Sequence, residues 1–286
     1  MTRLKTFSAL AAVSATVALV LSACTGGSTQ STETATASGE SGALPTVTAG
    51  KLTIATGGPA YSPWVENDDP ASGQGFEAAV AYAVADQLGF AHDDVMWVRT
   101  TFDSAIAPGA KDWDFNLQQF AITEERKQAV DFSSPYYTTS QAILTTEGSP
   151  AASATSLADL KGIQFGVQVG TTSARVLKEK IQPTKDALIF NNSVDVVQAL
   201  KGGQIDAIIV DLPTALHLNA TEFDNGKIVG QFEDASAAEN FGLVLPKNSP
   251  LTAAVTAAVD ALRANGSLEK IKTQWLSDSV SVPVLQ

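Results

Sequence analysis

From residue 51 onward, short runs of apolar and β-branched residues alternate with stretches whose apolar positions recur every three or four residues, which restricts the chain to α/β architectures. Residues 51–56 read as a strand, 76–88 as a helix stopped by Gly89, and 95–99 as the next strand. The strand signal returns at 163–167, 187–190 and 207–210. Helical spacing covers 173–180 and 194–201, the second ending at Gly202-Gly203, and closes the chain over 250–264 and 267–276.

One unit occurs twice. Asp103-Ser104-Ala105-Ile106-Ala107, followed by Gly109 and a strand opening at Asp114, parallels Asp195-Val196-Val197-Gln198-Ala199-Leu200, followed by Gly202 and a strand opening at Asp206. Such a unit is common in α/β proteins. Two copies about a hundred residues apart predict two lobes of related build, not a short-period solenoid. The stretch 46–286 is long enough for two modest domains.

The start of the chain is of another kind. Arg3 and Lys5 precede a run over 7–21 rich in Ala, Val, Leu, Ser and Thr, the layout of an export signal and too short for a membrane span. It ends in Leu21-Ser22-Ala23-Cys24, whose cysteine is the only one in 286 residues. No internal disulfide can form, so a lone thiol on an exported chain makes sense as a lipid acceptor, and the segment resembles the bacterial lipobox. Residues 1–23 are thus expected to be a cleaved signal peptide and Cys24 the lipidated N-terminus, anchoring the protein outside the cytoplasm. Residues 24–45 are mostly Gly, Ser, Thr, Ala and Glu, with Leu44 the only large apolar residue, and are expected to form a flexible tether. Thirty acidic against 18 basic side chains leave a net charge of −12, which argues against nucleic acid or anionic lipid as a partner.

Two oppositely charged residues follow predicted strands. Ile122-Thr123-Glu124-Glu125-Arg126 comes after the first repeated unit, and Val210-Asp211-Leu212-Pro213 after the second. In open α/β sheets the ligand crevice lies beyond the carboxyl ends of the strands. There Arg126 can grip a carboxylate in bidentate fashion and Asp211 can accept from an ammonium, a pairing suited to a zwitterion. Between them, Gly166-Val167-Gln168-Val169-Gly170-Thr171-Thr172-Ser173 runs from strand through glycine into a helix start, where free N–H groups favour an anion. On spacing alone, Arg126 and Asp211 read equally as surface charges, and Thr171 or Thr172 as a simple N-cap.

Taken together and in order, several segments resemble the family 3 extracellular solute-binding proteins, the polar amino-acid receptors of ABC importers. They are Tyr61-Ser62-Pro63-Trp64, Gly75-Phe76-Glu77, Thr123-Glu124-Glu125-Arg126, Val130-Asp131-Phe132-Ser133, Gly170-Thr171-Thr172-Ser173, Asp206-Ala207 with Asp211, and Gly266-Ser267-Leu268 to Trp275. The resemblance implies a two-lobe type II periplasmic-binding-protein fold with two crossover hinge segments, near 140–144 and 240–243. Lobe one would hold 46–139 plus 242–286, and lobe two 140–241. It implies that Arg126 and the backbone at Thr172 hold an α-carboxylate, that Asp211 holds an α-ammonium, that Tyr61 stacks on the side chain, and that Thr171 adds its hydroxyl or amide. Trp64 and Gln168 belong to the expected lining. The implied partners are a small amino-acid-like solute and the permease subunits, with no cofactor.

The sequence also departs from that pattern. Gln119-Phe120-Ala121 stands where relatives have a small residue, a hydrophobic one and a hydroxyl. Ala121 therefore lacks a group that helps hold the ammonium, and Gln119 puts a large amide against the ligand unless its side chain faces the lobe; Gln118 adds another nearby. Gly57 stands where many relatives carry an acid that meets the ligand's far end, which weighs against a cationic side chain. His92 and His217 have no metal-ligand spacing, and Gly57-Gly58 lacks the lysine of a phosphate loop. Two other functions are open on the same fold: an enzyme of the cyclohexadienyl or arogenate dehydratase kind, with Glu77 or Glu239 as the only nearby acids, and a ligand sensor.

Overall fold

A computed structural model describes residues 44–232, 239–276 and 282–285, so the expected signal peptide, Cys24 and nearly all of the tether lie outside the described residues. The chain builds four strands, β1 (Leu52–Gly57), β2 (Val95–Thr100), β3 (Phe115–Asn116) and β4 (Val130–Thr139). It then passes through Ser140 into five more: β5 (Gln141–Thr146), β6 (Phe165–Gln168), β7 (Leu188–Phe190), β8 (Ala207–Asp211) and β9 (Gly226–Gln231). Finally β10 (Glu239–Pro246) returns to the first sheet.

The two sheets have the same plan. The first runs β2-β1-β3-β10-β4 and the second β7-β6-β8-β5-β9. In each, the first three strands are parallel and the fourth is antiparallel to its neighbours. Each fourth strand arrives from the other lobe, so the crossings are built into both sheets. Pro135, which cannot donate to a ladder, sits on the edge strand β4 opposite Gly242, where the pairing with β10 shifts register.

Helices pack on both faces of each sheet. In the first lobe these are α1 (Phe76–Gln87), α2 (Phe102–Ile106), α3 (Arg126–Ala129), α7 (Thr252–Ala264) and α8 (Ser267–Trp275). In the second they are α4 (Ser173–Val176), which runs into a π turn over Leu177–Ile181, α5 (Ser193–Lys201) and α6 (Leu212–Thr221). Helix α1 buries Phe76, Val80, Ala81 and Val84 against β1 and ends at Gly89, whose φ of 84° suits the left-handed stop. Phe76, Val80 and Val84, fully removed from water, each contribute about 1.5–3 kcal/mol. Trp113 fills the core on the opposite face of the first sheet with Phe120 and Val130.

Two expected boundaries shift. Leu44 and Pro45, read as tether, already belong to the folded body, because Leu44 packs on the first core and the N–H of Val47 donates to Asp114. The chain's end, read as lobe one, reaches the second lobe. Val284 pairs in parallel with Gln231, Leu285 donates to the carbonyl of Gln231, and its side chain enters the second lobe's core. The edge of β9 offers unpaired backbone groups, and the tail satisfies them. The crossing near 140–144 is at Ser140, and by Glu239 the chain is already in β10 of the first sheet, one residue ahead of the expected 240–243.

Candidate functional site

The carboxyl ends of the parallel strands of both sheets face one cavity of about 380 Å³. Residues following β1, β2 and β3 line one wall; residues following β6, β7 and β8 line the other. Three contacts tie the walls together. The indole N–H of Trp64 donates to Thr214 Oγ1 at 2.8 Å, the guanidinium of Arg126 donates to the carbonyl of Gly170 at 2.8 Å, and the Thr172 hydroxyl donates to Glu239.

Arg126 opens α3, its N–H held by Thr123 Oγ1, and its side chain is only 8% exposed. One guanidinium nitrogen donates to the carbonyl of Ala121 at 2.7 Å, and the group lies 5.3 Å from the centre of the Phe102 ring. Burial pulls its pKa down, while nearby Glu239 and Glu125 push it up. A guanidinium carries five donors and stays protonated, so those not spent on carbonyls are available to the cavity that it lines.

Asp211 faces it from the second lobe. As the N-cap of α6 it accepts from the N–H of Thr214 and from the Thr214 hydroxyl, each at 2.9 Å. Burial raises its pKa to about 6, against those two hydrogen bonds, and Glu239 raises it further. Glu239, at the start of β10, is itself pushed up by burial and held down by the Thr172 hydroxyl, the Gln141 amide and Arg126. One guanidinium and two carboxylates thus converge on a single cleft.

The remaining expected residues divide. Tyr61, Thr171, Thr172 and Gln168 line the cavity. The Thr171 hydroxyl is committed to the carbonyl of Gln168 at 2.8 Å, and Thr172 also accepts from Gln141 at 3.0 Å. Trp64 touches the cavity, but its ring belongs to the first core, packed on Phe76, Tyr137 and Phe241. One expectation needs correction, and one alternative left open is decided. Ala121 does not line the cavity; it bridges Phe241, and its carbonyl orients Arg126. Gln119 lines it, but its side chain turns inward onto Glu77 at 2.5 Å because a φ of 51° reverses the local direction of the chain.

Glu77 explains that turn. This buried carboxylate of α1 accepts from the Gln119 N–H, the Gln119 amide and the Tyr136 hydroxyl, which supply the bonds that a buried acid requires. Even so, burial raises its pKa to about 7. The folded state therefore holds protons that the unfolded chain releases: the stability from Glu77 and Asp211 is present in full below the ordinary carboxylate range and lost as pH rises to about 7. For Glu77 this amounts to about 3 kcal/mol. Glu77→Gln, with the Gln119 carboxamide rotated to offer its oxygen, is expected to flatten the fall in melting temperature between pH 6 and 7.5. An unchanged slope refutes the assignment.

Some lining residues escape sequence reasoning. Gln141 sits beside the crossing at Ser140, where only the fold brings it to the cleft, and its Oε1 is buried with no hydrogen-bond partner among the described residues. Phe102 carries no motif; its position just past β2 was the available signal. Glu239 and Gln118, named from the sequence as near the ligand, do line the cavity.

Comparison with known proteins gives a consistent picture. The family model described as bacterial extracellular solute-binding proteins, family 3, matches residues 52–278. The chain is 31% identical to the L-arginine-binding protein of Pseudomonas aeruginosa, over 77% of this chain and 86% of that protein. It is 30% identical to the L-cystine-binding protein TcyJ of Escherichia coli K12, over 77% of this chain and 81% of that one. A solved ancestral arginine-binding protein bound to glutamine superposes with a TM-score of 0.68 at 32% identity, covering 81% of this chain and all of that one.

Proposed function

The chain belongs to the bacterial extracellular solute-binding proteins of family 3, and on that premise we propose that it closes around the zwitterionic head of a free amino acid and hands it to the permease of an ABC importer. The observation that carries this reading is the meeting of Arg126 from one lobe and Asp211 from the other in one cavity. Arg126 and the backbone at Thr172 take the α-carboxylate; Asp211 takes the α-ammonium; Tyr61, 41% exposed at the mouth, covers the side chain. Both halves of that grip exist only when the lobes meet, so ligand shifts the population toward the closed form, which the permease reads. Cys24 carries the lipid that holds the receptor at the outer face of the membrane, which mass spectrometry of membrane-extracted protein tests. The relatives named above are binding proteins, and no step of chemistry is assigned to the site.

Isothermal titration of the purified protein with a panel of L-amino acids is expected to give at least one micromolar ligand, about −8 kcal/mol. Asp211→Asn keeps the cap on α6 but removes the charge, and is expected to weaken that ligand by about 10-fold, the scale of one charge-assisted hydrogen bond. A panel with no binder, or an Asp211→Asn protein with unaltered affinity, overturns the reading.

A further inference from the structure

Resting on that reading, we infer that the solute carries a long, uncharged side chain ending in a carboxamide or ureido group, and that Gln118 reads it. Besides Arg126 the cavity is lined by Gly57, Thr100 and Gln118, which adjoin one another, and by Asn191 and Gln198 of the other wall. Gln118 is 8% exposed, and both hydrogens of its amide are spent, on Thr100 Oγ1 at 2.8 Å and Asn116 Oδ1 at 3.1 Å. Its Oε1 has no partner among the described residues and remains as an acceptor beside the cavity. Gly57 makes the room: a Cβ there would lie 3.0 Å from the Pro59 carbonyl and 3.4 Å from that same Oε1.

The charges nearest this end are already matched. Arg99 donates to the carbonyls of Gly57 and Asp68 and pairs with the Asp68 carboxylate at 2.6 Å. Glu222, which among the described residues is the one further carboxylate lining the cavity besides Asp211 and Glu239, is held by Lys201 at 2.5 Å at the solvent edge. A side chain ending in ammonium, guanidinium or carboxylate would enter without an unspent counter-charge, and desolvating an unpaired ion is heavily penalised. A neutral amide donates to Gln118 Oε1 and finds further amides opposite, and a site built to pair such a group rejects analogues that leave it unpaired.

The test is calorimetry on the purified protein with L-glutamine, L-citrulline, L-arginine, L-glutamate and L-alanine. At least one of the first two is expected to bind 10-fold or more tightly than each of the last three. Gln118→Glu, checked for folding by circular dichroism, is expected to move the ranking toward L-arginine by at least 10-fold relative to L-glutamine. L-arginine, L-glutamate or L-alanine binding within 10-fold of the better neutral ligand, or a ranking unmoved in Gln118→Glu, overturns the inference while leaving the receptor reading intact. Failure of all five to bind overturns the inference, while the receptor reading then stands or falls on the wider panel of L-amino acids.

Discussion

Arg126→Ala is expected to weaken amino-acid binding by more than 100-fold while leaving a folded protein. The guanidinium is pre-aimed: carbonyls of Ala121 and Gly170 hold two of its donors, and the Phe102 ring lies beside it. A carboxylate arriving in the cleft meets a fork that needs no reorganisation, and two charge-assisted bonds at roughly 1.5–3 kcal/mol each correspond to at least that loss. The second effect is on closure. The Gly170 contact crosses between lobes, so its removal also loosens the closed form and compounds the loss of affinity. Arg126→Lys keeps the charge but not the planar fork, and is expected to recover only part of the binding. Titration calorimetry reads the affinity and circular dichroism the fold; unchanged affinity in Arg126→Ala would remove this residue from the site.

Gly75→Ala is expected to be among the most destabilising single substitutions in the first lobe. Gly75 is the N-cap of α1 with φ at 101°, a region that side chains rarely enter. An added Cβ would lie 2.5 Å from the Trp64 carbonyl oxygen and 2.7 Å from Val65 Cα, all backbone and unable to give way. Strain and overpacking together amount to about 2–5 kcal/mol, or a fall in melting temperature of roughly 5–15 °C. The damage is local to the site. The N–H groups of Phe76 and Glu77 donate to the carbonyls of Pro63 and Trp64, so displacing the helix start displaces the loop that carries Tyr61 and Trp64. Gly89→Ala is the control: it has positive φ but nothing within 4 Å, so only the conformational penalty of about 1 kcal/mol applies. Equal melting temperatures for the two variants would refute the close-approach argument.

Elements with a clean period or a glycine stop are readable from the chain alone. These include β1, β2, β8, α1, α5, α7 and α8, and the matching sheet orders bear out the two related lobes predicted from the repeated unit. The crossing strands are not readable in the same way. β4 mixes Ser, Thr, Tyr and a proline, and its side chains answer to β10, more than a hundred residues away in sequence. The tail behaves likewise. Val284 and Leu285 carry no signal that distinguishes lobe one from lobe two, and the open edge of β9 decides where they go.

The family, the α/β class and a strong cation and a strong anion that follow strands are legible in the chain. Which polar side chains open onto the cavity is set by packing between residues far apart in the chain. Gln118 and Gln119 are identical neighbours in the chain, yet one lines the cavity with an open acceptor and the other is drawn into the lobe. The reason is Glu77, 42 residues earlier: a carboxylate buried in α1 must find donors, and the nearest amide turns away from the cleft to provide them.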